Sequence, residues 1–98
     1  MAAYTSLFDQ IYSDPTFEKQ VVIACLTAAD TVIHEDPATA NHDNRMIWAR
    51  AVLVNPTQAA RKMMPVMLVN PTVQSGSYTD TDILWLVQSN IEAYSLIM

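Results

Sequence analysis

The sequence predicts an all-α protein, a compact bundle of about five short helices joined at Asx-Pro corners. Three observations carry that expectation. Four of the five prolines directly follow an Asp or Asn, at Asp14-Pro15, Asp36-Pro37, Asn55-Pro56 and Asn70-Pro71. An Asx side chain accepts a hydrogen bond from an orphan amide at a helix start, and Pro fits the first helical position, where its missing N–H costs nothing. Because the residue before Pro is pushed out of the helical region, the same pair also ends the preceding helix. The chain holds a single glycine in 98 residues, which leaves almost nothing to adopt the positive φ of tight hairpin turns. Apolar residues, finally, recur at steps of three and four along most of the chain. At this length residues 1–98 form one helical domain.

Residues 3–13 place Leu7, Phe8, Ile11 and Tyr12 on one helical stripe. Beyond Asp14, residues 15–34 read as the central helix. Phe17, Val21, Cys25, Ala28 or Ala29, and Val32 share a face that Val22, Leu26 and Ile33 widen. The segment after Asp36-Pro37 is polar through Asn44, so a loop leads into a helix over about 42–54. Asn55-Pro56 opens a further helix containing Ala59, Ala60, Met63, Met64, Met67 and Leu68. Pro65 stands ten positions into it, where a proline costs roughly 3 kcal/mol, and a kink or break is expected near Met63 and Met64. Between Asn70-Pro71 and Tyr78 the run Gln74-Ser75-Gly76-Ser77 predicts the one clear flexible loop. Thr79-Asp80-Thr81-Asp82 then reads as a capping box with Asp in the acid position. It opens a last helix over about 80–96, with Ile83, Leu84, Val87, Ile91 and Tyr94 facing inward and Trp85 and Leu86 partly off the stripe. The pair Val52-Leu53-Val54-Asn55-Pro56-Thr57 and Met67-Leu68-Val69-Asn70-Pro71-Thr72 is helix-ending grammar used twice, since solenoid repeats run longer and need about three copies.

Apolar residues make up 51% of the chain and charged residues 15%, against about 25% charged in typical domains. A domain this small cannot bury all that surface in its own core. The surplus reads as surface for partner subunits, the alternative being a greasy monomer. The formal charge of −5 disfavours nucleic acid or an anionic membrane as partner. Residues 1–43 carry Asp9, Asp14, Glu18, Asp30, Glu35, Asp36 and Asp43 against Lys19 alone, whereas 44–62 hold Arg45, Arg50, Arg61 and Lys62 with no acid. This polarity suits head-to-tail contacts between copies, contacts within one subunit, or simply solvated faces. The opening residues lack the basic flank and apolar core of a signal peptide, and no stretch approaches about 18 apolar residues. The expectation is a protein made and kept in a cytosol, or in something assembled there.

Chemistry-bearing groups are sparse. Cys25 is alone, amid Val21-Val22-Ile23-Ala24 and Leu26, and reads as a small buried hydrophobe. His34-Glu35-Asp36 and His42-Asp43 form the one metal-like cluster, but a His-x7-His spacing fits no standard site. With one glycine there is neither a nucleophile elbow nor a phosphate-cradling loop. As a DNA-reading helix, residues 56–69 offer Gln58, Arg61 and Lys62 and then become apolar, too little for a groove reader in an acidic chain. No catalytic, cofactor or metal residue is therefore assigned, and no cofactor or small-molecule substrate is expected. The methionines at 46, 63, 64, 67 and 98 fill a core or line a pliable groove. Trp48 and Trp85 each suit a core or an interface anchor. The interface candidates are Trp48, Met63, Met64, Met67, Trp85, Leu96, Ile97 and Met98.

Residues 41–56 read Asn-His-Asp-Asn-Arg-Met-Ile-Trp-Ala-Arg-Ala-Val-Leu-Val-Asn-Pro. An Asn-His pair, an Arg three residues after the His, Trp-Ala and an Asn-Pro corner together resemble a segment of small, mostly helical proteins encoded among the virion structural genes of tailed bacteriophages. Met63-Met64-Pro65 and Asn70-Pro71-Thr72 continue the likeness, which covers about residues 36–73. The resemblance implies a non-enzymatic virion subunit, present in the virion and in the host cytoplasm during assembly. Its partners would be other virion proteins and copies of itself, in the capsid, the head-tail connector or the tail. It brings no catalytic residues to carry over. A soluble phage or bacterial regulator that binds and masks a host protein is the alternative suited to the acidic character. An enzyme or metal protein using His34 and His42 is the third.

Overall fold

Pro15 opens the longest helix, and the three other long helices all pack on it. The computed structural model describes residues 15–67 and 69–91. They form α1 (Pro15–Ile33), α2 (His42–Val54), α3 (Pro56–Met67), α4 (Pro71–Ser75) and α5 (Asp80–Asn90), with no strand among the described residues. The fold is all-α, a small bundle with Asx-Pro corners. The expected helix at residues 3–13 lies outside the described residues, as does any continuation of the last helix beyond Ile91, including Tyr94.

α1 buries Phe17, Val21, Ala24, Cys25, Ala28, Ala29 and Val32. Three alanines on that face let α2, α3 and α5 approach closely, and all three pack against it. The stripe is narrower than the sequence suggests: Val22 is half-buried against the core, but Leu26 and Ile33 are exposed. Among the described residues, the neighbouring helices cover one side of α1 only. Trp48, Ala49 and Val52 from α2, Ala59, Ala60, Met63, Met64 and Met67 from α3, and Ile83, Leu86 and Val87 from α5 complete the core. Leu86, expected off the stripe, is buried, while Leu84 is only partly so.

The corners work through named bonds. Asn55 serves two helices at once. Its N–H donates to the Ala51 carbonyl at the end of α2 (3.1 Å), and its own carbonyl accepts from Ala59 (3.0 Å). Its Oδ1 accepts from the Gln58 amide at 3.1 Å, satisfying an orphan donor of α3. Asn70 does likewise for α4, accepting the Thr72 amide at 2.9 Å with Pro71 at the first helical position. Asp36-Pro37 behaves differently. Asp36 Oδ1 accepts the Ala38 amide at 2.8 Å in a turn that opens no helix. The chain enters α2 instead through Asn41, whose φ of 59° is the left-handed conformation that Asn tolerates better than most residues.

Two expectations are corrected. Of the kink or break expected near Met63 and Met64, the break does not occur: α3 runs through Pro65 to Met67, because Met63, Met64 and Met67 on both sides of the proline are buried. Full burial of each is worth roughly 1.5–3 kcal/mol, together more than the proline's penalty. The loop expected at Gln74-Ser75-Gly76-Ser77 is shorter than the sequence suggests: Gln74 and Ser75 belong to α4, which is anchored by buried Val73 and stopped at Gly76. Gly76 has φ +78°, a conformation that costs residues bearing a Cβ. Tyr78 then meets Phe17 edge to face, ring centroids 5.3 Å apart, which fastens the connection to the start of α1. The Thr79–Asp82 capping box is formed: Thr79 N–H donates to Asp82 Oδ2 (2.9 Å) and Asp82 N–H to Thr79 Oγ1 (3.2 Å).

Candidate functional site

The residues singled out from the sequence divide sharply. Trp48, Met63, Met64 and Met67 are buried within the subunit, so as interface candidates they are corrected: the neighbouring helices of the bundle already cover them. They fall on the inner faces of α2 and α3, and burial inside one chain satisfies their apolar character without a partner. Trp85 is 62% exposed on α5. Leu96, Ile97 and Met98 lie outside the described residues.

The charged groups serve mainly to hold the bundle. Arg45 meets Glu35 in a two-point pair, Nε to Oε1 at 2.9 Å and Nη2 to Oε2 at 2.6 Å, tying the first turn of α2 to the connection before it. Both side chains are 17% exposed. The hydrogen bonds from Arg45 hold the Glu35 carboxyl below its ordinary range, outweighing partial burial, which acts the other way. Arg61 Nε donates to Glu18 Oε2 at 3.0 Å, linking α3 to α1. Gln20 Nε2 donates to Asp80 Oδ1 at 2.9 Å, linking α1 to α5. The polarity between acidic and basic stretches is thus used within the subunit at Arg45 and Arg61.

Since the Glu35 pKa is depressed by folding, the pair contributes stability that is fully present above the unfolded glutamate value, about 4.3. It is lost as the pH falls through the lower folded value. Urea midpoints for the parent protein are expected to fall more steeply below about pH 4.5 than those of Arg45→Gln. Equal slopes would show that the pair is not felt.

Of the histidine cluster, His34 Nδ1 lies 2.8 Å from the Asp30 carbonyl, and His42 Nδ1 lies 3.5 Å from the Asp43 carboxylate. No three His, Cys, Asp or Glu side chains among the described residues converge on one point. Glu35, between them in sequence, is engaged through both oxygens by Arg45. Burial pushes the Cys25 thiol up to about 12, which keeps it protonated and unreactive at neutral pH. No helix of the described residues is long and apolar enough to cross a membrane.

The surplus apolar surface was expected, and Trp85 named for it, but sequence reasoning missed the other residues that form it. Ile23, Leu26 and Ile33 on α1, Ile47, Leu53 and Val54 on α2, and Val69 before α4 are exposed along with Trp85. Val54 and Val69 are 85% and 77% exposed. Both immediately precede an Asn-Pro pair, where the chain turns away from the core. That position was the available signal: an apolar residue held at a corner has no inward direction to take. On α2, Asp43, Ile47, Arg50 and Val54 follow at steps of four, three and four, one stripe opposite Trp48, Ala49 and Val52. A groove of about 200 Å³ runs between α1 and α5, lined by Gln20, Ile23, Ala24, Thr27, Asp80, Thr81 and Leu84. The arrangement offers apolar contact with a few charges for register, and its described residues gather no reactive group at the groove.

Set against family models, curated proteins and solved structures, the chain matches none.

Proposed function

We propose that this protein is a non-enzymatic structural subunit of a tailed-bacteriophage virion, packing in multiple copies against capsid, head-tail connector or tail proteins. The observation that carries this reading is the exposed apolar surface around a core that is already complete. Phe17, Trp48 and three methionines fill the interior, and yet Ile47, Leu53, Val54, Val69 and Trp85 remain outside. Single exposed apolar residues are ordinary, but Ile47 and Val54 on one stripe of α2, with Leu53, Val69 and Trp85 exposed elsewhere on the same small subunit, leave more apolar surface than solvent alone requires. Trp and branched residues at such a face contribute area at little entropic cost.

The residues behind the phage resemblance support the same reading. Trp48 and Ala49 are core, Arg45 locks Glu35, and Asn55 joins α2 to α3. Each maintains the shape of the subunit, which is what a building block requires of its most characteristic segment.

Mass spectrometry of purified particles of the phage encoding the chain tests the proposal. Multiple copies per particle, in fixed ratio to the other structural proteins, are expected. Absence from particles, with the protein recovered instead in the infected-cell lysate, would overturn it.

A further inference from the structure

We infer that copies of this chain join head to tail, the outer stripe of α2 in one copy seating against the α1–α5 groove of the next, with Arg50 meeting Asp80. The inference rests on the multi-copy reading above and names the contact that would build it.

The groove is too small for a typical ligand site. Its volume of about 200 Å³ falls below the roughly 300–1,000 Å³ of small-molecule pockets. Its scale is that of a side chain. Ile23, Ala24 and Leu84 make the lining apolar, and Thr27 spends its hydroxyl on its own helix, donating to the Ile23 carbonyl at 2.8 Å. At one end stands Asp80, which accepts the Gln20 amide. A carboxylate has acceptor sites beyond one such bond, so an exposed Asp80 can still take an arginine. The occupant that this chemistry fits is an aliphatic side chain with a base one helical turn away.

The protein carries that pattern on its own α2. Ile47 and Arg50 are three residues apart, about 4.5 Å along the axis. Asp80 and Leu84 are four apart, about 6 Å. With Ile47 beside Leu84, base and acid come into register. Asp43 lies at the far end of the stripe, about 10.5 Å from Arg50 along the axis, so its repulsion of Asp80 is reduced by screening over about one Debye length. An exposed ion pair fixes register and excludes wrong partners more than it adds affinity, which the apolar side chains supply.

The two surfaces belong to helices that each pack on α1 but are not a packed pair with one another. A single contact between unlike patches leaves one patch unused on each copy of a pair, the groove on one and the stripe on the other. With the α2 stripe and the α5 wall of the groove on helices that are not a packed pair, one copy does not present both patches to the same neighbour, and the contact extends into a ring or a filament.

Light scattering and sedimentation of the full-length chain over a range of concentrations test the contact. The parent protein is expected to gain mass with concentration. Arg50→Glu and Asp80→Arg should each weaken association by about tenfold or more through like-charge contact. Mixing the two variants, or combining both changes in one chain, should restore it. Thr81→Arg, at the exposed groove rim and outside the capping bonds, should also weaken association, and circular dichroism checks that each variant keeps its helices. A parent protein that stays monomeric overturns the inference. So does association that neither charge change affects, a stripe-to-stripe dimer sensitive to Arg50→Glu but not Asp80→Arg, or a swap that restores nothing. Copy number in particles is read independently. Particles rich in a swap-insensitive protein would remove this contact and leave the virion reading standing.

Discussion

Truncating Trp48 to Ala is expected to destabilise the protein by about 3–5 kcal/mol, the range for deleting a buried aromatic and leaving its cavity. Total stability for a domain of this size is of the order of 5–15 kcal/mol, so the variant would lose a large share of it. Trp48 is 2% exposed and sits on the inner face of α2, which packs on both α1 and α3. Replacement by Phe is expected to cost far less than the change in volume suggests. The indole Nε1 is buried without a hydrogen-bond partner, and leaving such a donor unsatisfied costs about 1–3 kcal/mol. Phe removes that donor together with part of the ring system, so penalty and relief offset one another and a net change within about 1 kcal/mol follows. Urea denaturation of both variants measures the difference. A loss above about 2 kcal/mol for Trp48→Phe would mean that the donor is satisfied in solution, as by a buried water.

The same residue shows how far the sequence could be read. The spacing of Trp48 and Ala49 within 42–54 located the helix to its ends, since the polar run before it and Asn55-Pro56 after it bound the segment by local chemistry alone. The identity of the inner face of α1 was equally legible: Phe17, Val21, Cys25 and Val32, with both Ala28 and Ala29, are buried as the period requires, and Ala24 joins them. The extent of a face was not. Whether Leu26 or Leu86 is covered depends on where neighbouring helices lie, and that is a tertiary property. α4 was missed although its Asn70-Pro71 start is the same signal that opens α3. The glycine and serines just beyond it are turn formers, and only the burial of Val73 decides in favour of a helix. The candidate surface was the least legible part. Trp48 and the methionines drew attention as large adaptable side chains, whereas the exposed stripe of Ile47, Arg50 and Val54 consists of ordinary residues. Its meaning comes from facing away from α1.

Replacing Pro65 with Ala is expected to raise stability by about 2 kcal/mol. A proline within a helix costs about 3 kcal/mol through the lost bond to the carbonyl four residues back and the clash of its ring with it, here at Arg61. Alanine gives back roughly 0.4–1 kcal/mol of this, because it leaves the unfolded chain more freedom to lose on folding. The helix tolerates the proline because the buried methionines on either side hold the turn closed, which predicts a dependence between them. Met64→Ala, expected to cost roughly 2–5 kcal/mol, should cost less with Pro65 present than in the Pro65→Ala background. In the first case α3 can relieve its strain by opening beyond Met63, and in the second it has no strain to relieve. A double-mutant cycle between positions 64 and 65, followed by urea denaturation and by hydrogen exchange of the Met67 amide, measures the coupling. Additive changes would show that α3 carries Pro65 without strain, and the stabilisation expected of Pro65→Ala would then be absent as well.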